Sequence, residues 1–139
     1  MRVNSNIPPA PYEISNITAP LCTVAIAENI HEIITPDSEK SYEYDEWCIQ
    51  CVYRTDLAAA IDGSLEAWLA AAKAAESAAE AAKVRGKRDA LLAASDKYML
   101  SDIPITATKT DWKSYRAALR NVPEQAAFPW AIDWPVMPV

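Results

Sequence analysis

An alanine-rich segment, residues 55–95, constrains the fold of this chain more than any other feature. Alanine is the strongest helix former, and the segment contains no proline. From Ser64 the pattern predicts one helix of about 30 residues, roughly 45 Å long at 1.5 Å per residue. Asp56 to Asp62 is predicted to form its first turns, with Gly63-Ser64 as either a kink or the N-cap of the long helix.

Apolar residues recur along this helix at alternating steps of four and three, which is the spacing of a heptad seam. The seam consists of Ile61, Leu65, Trp68, Ala72, Ala75, Ala79 and Ala82, and it continues to Gly86. Its small residues permit close approach of helix backbones, so we expect this face to form an intermolecular coiled coil and hence a homo-oligomer. Packing on the protein's own sheet and an exposed single helix are the alternatives.

A second, amphipathic helix is predicted near the C-terminus. Its apolar face, at i, i+3, i+7 and i+10, consists of Trp112, Tyr115, Leu119 and Val122. Arg116 lies four residues after Trp112, so its guanidinium is expected over the indole ring. Residues 108–111 have the spacing of a capping box with Asp in place of Glu. Pro123 then stops the helix.

After Pro123, prolines and aromatic residues replace most of the charges, and the chain is predicted to be extended. Large aromatic side chains concentrate in the hot spots of interfaces. We therefore expect a partner-binding set that consists of Trp112, Tyr115, Arg116, Leu119, Phe128, Trp130 and Trp134. The alternative is that Trp130 and Trp134 simply cover the terminal helix.

The helix contains the motif Trp-x-x-Tyr-Arg-x-x-Leu-Arg from Trp112 to Arg120, and the tail contains Pro-x-x-Ile-x-Trp-Pro-x-x-Pro from Pro129 to Pro138. Together they resemble the C-terminal signature of tailed-phage tail fibre assembly proteins and tail assembly chaperones. Residues 84–96 look like the same family's helix end, so the resemblance covers residues 83–138. Relatives usually carry a tryptophan after the Ser-Asp pair, and here Tyr98 is expected to do its packing.

The resemblance implies a protein without catalytic activity that binds a phage tail or tail-fibre protein and helps it fold or attach. It would act in the host cytoplasm during assembly, with retention on the virion tail as the open alternative. A second hypothesis is a permanent structural component of the tail or fibre, which oligomerises through the long helix. A third is a cysteine-dependent enzyme.

The N-terminal half is predicted to be extended chain and β-sheet instead of helix. Residues 1–20 are expected to form an extended arm, because the proline-rich run 7–11 favours polyproline geometry. Residues 21–54 are predicted to form a small antiparallel sheet, with strands at 21–27 and 30–35. A further half-buried strand places on one face Trp47, Ile49, Cys51 and Tyr53. With the long helix and with the C-terminal helix and aromatic tail in residues 96–139, the fold class is α+β.

The charge of the chain argues against a nucleic-acid partner. The net charge is −6, and residues 1–55 hold eight acidic and three basic side chains. A non-specific nucleic-acid binder needs the opposite balance. No uncharged apolar run reaches the about 18 residues that a membrane span requires, so no membrane association is expected.

The three cysteines and the single histidine do not form a recognisable site. Cys48 and Cys51 lie within a predicted strand, so their sulfur atoms point to opposite faces of the sheet. Zinc would need further ligands, and only Cys22 and His31 are available. We therefore expect reduced, buried structural cysteines, a histidine on the sheet surface, no metal, no cofactor and no catalytic residue.

Overall fold

The computed structural model describes residues 1–34, 36–37, 39–100 and 106–138. The chain divides into two compact units, Met1–Glu76 and Ser77–Val139. The first unit contains a four-stranded sheet, and the second contains the short C-terminal helix and the tail. The predicted fold class, a small antiparallel sheet followed by a long helix and a short helix, is confirmed.

The sheet of the first unit is antiparallel throughout. Its strands are β1 (Arg2–Ser5), β2 (Tyr12–Thr18), β3 (Leu21–Ile34) and β4 (Lys40–Val52), in the spatial order β1-β4-β3-β2. β3 is continuous where two strands were predicted. A bulge between Glu28 and His31 bends it, and Asn29 there has a φ of 54°. Asparagine tolerates this left-handed conformation, and its amide donates to Asp45 at 2.9 Å.

Within residues 1–20, which the sequence predicted to be an extended arm, residues 2–5 and 12–18 form the strands β1 and β2. These strands lie at opposite edges of the sheet, so the proline-rich connection of residues 6–11 crosses one sheet face and lies near Ala25, Ala27 and Tyr44. The prolines stand in the connection and leave the strands free to pair. Extended backbone needs hydrogen-bond partners, and β4 and β3 supply them.

The opposite face of the sheet packs against α1 (Leu57–Asp62) and the beginning of α2 (Leu65–Ser95). The fully buried residues of this core are Cys22, Val24, Ile26, Leu57, Ile61 and Ala72. Gly63 separates the two helices, so α1 is a helix of its own. Lys73 of α2 forms a 2.6 Å ion pair with Glu28, and Glu28 also accepts a hydrogen bond from the Trp47 indole.

The second unit starts within α2 and continues through a 3₁₀ helix at Asp96–Met99. α3 (Lys109–Arg120) follows, then a 3₁₀ helix at Val122–Glu124 and an extended tail. The predicted capping box at the start of α3 is confirmed, with both reciprocal hydrogen bonds between Thr108 and Asp111. The hydroxyl of Thr108, then its backbone N–H, lowers the pKa of the Asp111 carboxyl.

Candidate partner-binding surface

The core of the second unit is built on one face of α3. Trp112, Tyr115 and Leu119 are buried there, and Val122 is buried just beyond the helix. The predicted stripe is therefore confirmed as a packing face. Because these side chains are enclosed by their own chain, they leave little surface for a partner.

Aromatic rings fix the orientation of α3. Tyr98 stacks on Trp112 with ring centroids 3.9 Å apart, and Tyr115 meets Trp112 edge-on at 5.8 Å. Tyr98 thus does the packing expected of it. The Trp112 indole N–H is buried and has no hydrogen-bond partner among the described residues. An unsatisfied buried donor costs about 1–3 kcal/mol.

Arg116 adopts a different position from the one that the sequence predicted. Its Nη1 atom donates to the Leu92 carbonyl at 2.9 Å and to the Ser95 hydroxyl at 2.6 Å, and it forms a 2.7 Å ion pair with Asp96. The last carbonyls of a helix lack internal partners, and its C-terminal dipole attracts a cation. Arg116 therefore caps the end of α2 instead of stacking on Trp112.

The tail is held in place by a side chain that the sequence reasoning missed. The Gln125 amide donates to the Asp133 carbonyl at 2.8 Å and accepts from the Asp133 N–H at 2.9 Å. Between these residues the chain makes a tight turn, with the Trp130 N–H donating to the Ala127 carbonyl at 2.9 Å. A glutamine just after the end of a helix, eight residues before Asp133, is too weak a signal to find this contact.

Basic side chains near the end of α2 lie over the aromatic rings of the tail. The Arg85 guanidinium lies 5.1 Å from the Phe128 ring, and the Lys87 ammonium lies 4.4 Å from the Trp134 ring. Such cation–π contacts contribute about 0.5–1 kcal/mol each where they are exposed. Trp134 also packs against the α3 core and is half-buried, as is Phe128.

Trp130 is the large aromatic residue of the tail that is most exposed, at 58% of its surface. It lines a groove between α2 and the tail together with Lys87, Ile132 and Trp134. The α2 wall of the groove carries Lys87 and a 2.9 Å ion pair between Lys83 and Glu80. Val136 and Met137, also exposed, follow in the tail. We call this region, from Trp130 to Trp134 with the facing side of α2, the tail groove.

The predicted oligomerisation seam is divided by the structure. Ile61 and Ala72 are completely buried, and Leu65 and Trp68 pack on the same core of the first unit. These four residues therefore pack on the protein's own sheet, which was the alternative reading. Of the remaining seam residues, Ala75, Ala79 and Ala82 are exposed, as is Gly86.

Cys48 and Cys51 face opposite sides of the sheet, as predicted. Cys51 lies opposite Cys22 in the neighbouring strand, with sulfur atoms 3.5 Å apart, and Cys48 is exposed. The prediction of burial is therefore wrong for Cys48. His31 lies on the exposed part of β3, opposite Glu43.

Within the part of the chain that the structure describes, no group of three or more His, Cys, Asp and Glu side chains is arranged to hold a metal ion. No described helix combines the length and apolarity that a membrane crossing needs.

The two units differ in charge. Residues 1–76 contain twelve acidic and four basic side chains, whereas residues 77–139 contain seven acidic and nine basic ones. The negative net charge of the protein thus belongs to the sheet unit, and the tail groove lies in the unit with the basic excess.

Residues 81–139 match the family model of the phage tail assembly chaperone protein. The match covers α3, both C-terminal motifs and the tail groove, and it confirms the family that these motifs resemble. This part of the chain is therefore similar to phage tail assembly chaperone proteins. No curated protein and no solved structure matches the chain.

Proposed function

We propose that this chain is a non-enzymatic bacteriophage tail assembly protein that binds a tail or tail-fibre protein through the tail groove. It acts in the host cytoplasm, where it aids the folding or attachment of that protein. The family match supports the assembly role. The exposure of Trp130 beside Lys87 of α2 supports the location of the binding surface.

The observation that carries the proposal is an exposed aromatic residue on a backbone that is already fixed. The Gln125 bonds to Asp133 and the Lys87 contact with Trp134 hold the tail on both sides of Trp130. A surface that is ordered before binding loses little conformational entropy when the partner arrives. A large exposed tryptophan in such a surface fits a binding hot spot.

The residues of the predicted binding set then have two roles. Trp112, Tyr115, Arg116 and Leu119 support the unit from inside. Phe128, Trp130 and Trp134 face the groove or lie beside it, and Trp130 has the most free surface. We therefore assign partner contact chiefly to Trp130, with a smaller contribution from the half-buried Trp134.

The test is co-expression of the full chain with each tail and tail-fibre protein of the same phage, followed by affinity purification and titration. Trp130→Ala should weaken binding by about 2–4 kcal/mol, or roughly thirty- to a thousandfold. Its melting temperature should stay within about 2 °C of the wild type, because surface substitutions rarely change stability. Val136→Ala, which changes a side chain that is 90% exposed outside the groove, is the matched control.

Unchanged binding by Trp130→Ala, with Trp112→Ala unfolding the second unit, would show that the partner contacts another surface. Loss of binding by both Trp130→Ala and Val136→Ala would show that the whole end of the tail is required, so the groove alone would not explain recognition.

A second candidate function is a permanent component of the virion tail or tail fibre. The exposed side chains of Ala75, Ala79 and Ala82 favour it, because a surface of small residues on a long helix lets a second helix approach closely. Ala79→Glu should then abolish self-association in sedimentation experiments. A fixed number of copies in purified particles would distinguish this function from transient assistance.

A further inference from the structure

The two edges of β4 are paired unequally. On one side β3 pairs with it from Lys40 to Val52, whereas on the other side β1 pairs with it from Tyr42 to Asp45. Met1 adds one more step, because the Glu46 N–H donates to the Met1 carbonyl at 2.7 Å and the Met1 ammonium donates to the Glu46 carbonyl at 2.8 Å. From Trp47 to Val52, no described residue pairs with that edge.

The bonds to Met1 fix which backbone groups face the unpaired edge. In an antiparallel strand the N–H and C=O of one residue point to the same side, and successive residues alternate. The backbone N–H and C=O of Glu46 point toward β1. Those of Cys48, Gln50 and Val52 therefore point to the same side of β4. The N–H of Tyr53 agrees with this alternation, since it donates in the other direction to the Pro20 carbonyl at 2.8 Å.

An apolar groove lies beside this open edge, on the side of the sheet that faces α2. It is lined by Ile49, Cys51, Ala67, Trp68 and Ala71, all of the first unit. In an added strand, the residues opposite Ile49 and Cys51 would point into this groove, because side chains of paired strands share a face. Two apolar side chains at alternate positions would fill it.

The charge near the open edge is negative. Although Cys48 is exposed, partial desolvation of its thiol, and then the carboxylates of Glu46 and Glu76, raise its pKa. Residues 1–76 as a whole carry twelve acidic side chains against four basic ones. In an added strand, the residues that alternate with the apolar ones would point to the other sheet face, which carries Glu46. Basic side chains at these positions would be attracted to the negative charge there.

We propose that the edge of β4 from Trp47 to Val52 binds an extended segment of a partner protein by strand addition. The segment has apolar residues at alternate positions, which enter the groove, and basic residues between them. Strand addition gives affinity through the main chain and specificity through alternate side chains. The site lies outside residues 81–139 and does not depend on the tail groove.

The experiment uses the full chain and a peptide of about eight residues, the length of an ordinary strand, that alternates valine and lysine. Amide hydrogen exchange should slow by about tenfold or more at Cys48, Gln50 and Val52 when the peptide is saturating. The amides of Ile49 and Cys51 already face β3 and should change little. A peptide with N-methyl groups on the amides that face β4 is the matched control and should not bind.

Two pairs of variants locate the peptide. Gln50→Pro removes an outward N–H and is tolerated at a strand edge, whereas Gln50→Thr keeps that N–H. The first should weaken binding by about tenfold or more, and the second should leave it unchanged. Ala71→Gln fills the groove and should weaken binding, whereas Ala70→Gln, on another exposed part of the helix, should not.

Equal binding of the N-methylated peptide, or wild-type affinity in Gln50→Pro, would overturn the proposal. Protection of the same amides without peptide, in a dimer that Gln50→Pro dissociates, would identify a second copy of the chain as the occupant and overturn the choice of partner. Loss of peptide binding in Trp130→Ala but not in Gln50→Pro would assign the peptide to the tail groove, so the two proposals fail separately.

Discussion

Removing the Arg116 side chain should destabilise the second unit strongly, although the residue is near the surface. The side chain is only 15% exposed, and its Nη1 atom contacts the Leu92 carbonyl, the Ser95 hydroxyl and the Asp96 carboxylate. Nη1 has two hydrogens for three acceptors, so the contacts do not add. Asp96 is 66% exposed, which makes its ion pair the weakest contribution.

The magnitude follows from two acceptors at the end of α2, the carbonyl of the half-buried Leu92 and the hydroxyl of the buried Ser95. A hydrogen bond from a charged donor contributes about 1.5–3 kcal/mol, and a cation at a helix C-terminus adds about 0.3–1 kcal/mol. Because the bonds share one nitrogen, we expect Arg116→Ala to cost about 2–4 kcal/mol. In a domain of this size, that lowers the melting temperature by about 10 °C or more.

The assay is urea unfolding followed by circular dichroism and tryptophan fluorescence. Lys113→Ala, an exposed change on the same helix, should lie within about 0.5 kcal/mol of the wild type. Arg116→Lys keeps the charge but not the planar group, so its free energy of unfolding should lie between those of Arg116→Ala and Lys113→Ala. A cost below about 0.5 kcal/mol for Arg116→Ala would refute the view that this residue caps α2.

Three further outcomes can be measured in the second unit. The hydrogen bonds from Thr108 lower the pKa of Asp111, so the stabilisation that they give is complete above the ordinary carboxyl pKa of about 4 and is lost as pH falls through the lowered pKa. Asp111→Asn should therefore lose less melting temperature than the wild type below about pH 4. Identical acid profiles of the two proteins would contradict this. Trp112→Phe should lower the free energy of unfolding by less than the about 3–5 kcal/mol expected for Trp112→Ala, because phenylalanine fills much of the space and the substitution removes the unsatisfied indole N–H. Chemical denaturation of the two variants measures the difference. Gln125→Ala should speed hydrogen exchange at the Asp133 amide while leaving α3 protected; unchanged exchange would mean that the tail is held by other contacts.

The elements that the sequence predicted well are those stabilised by neighbours along the chain. Alanine propensity was enough to predict α2, and the apolar spacing of residues 112–122 predicted both α3 and its buried face. The capping box needed only Thr108 and Asp111, three residues apart. The two C-terminal motifs also indicated the family whose model matches residues 81–139, because they are contiguous patterns that need no knowledge of the fold.

Interactions between distant residues were decided by the tertiary structure. Residues 2–5 and 12–18 lack a strong strand pattern, and they are extended because β4 and β3 supply backbone partners that local sequence does not reveal. Arg116 had a plausible partner four residues away, but the end of α2 offered the Leu92 carbonyl and the Ser95 hydroxyl as stronger acceptors. The seam from Ile61 to Ala72 looked suitable for a second helix, yet the nearby sheet covers it.

The candidate site shows the same division. The sequence alone identified an aromatic tail and a set of residues that includes Phe128, Trp130 and Trp134. It did not separate the tryptophan that is exposed from the one that packs beneath Lys87. Composition and spacing determine that the large apolar side chains must be buried against other parts of the protein or against a partner. Which of them is covered depends on how the tail docks on α2 and α3, because burial arises from contacts between elements that are far apart in the chain.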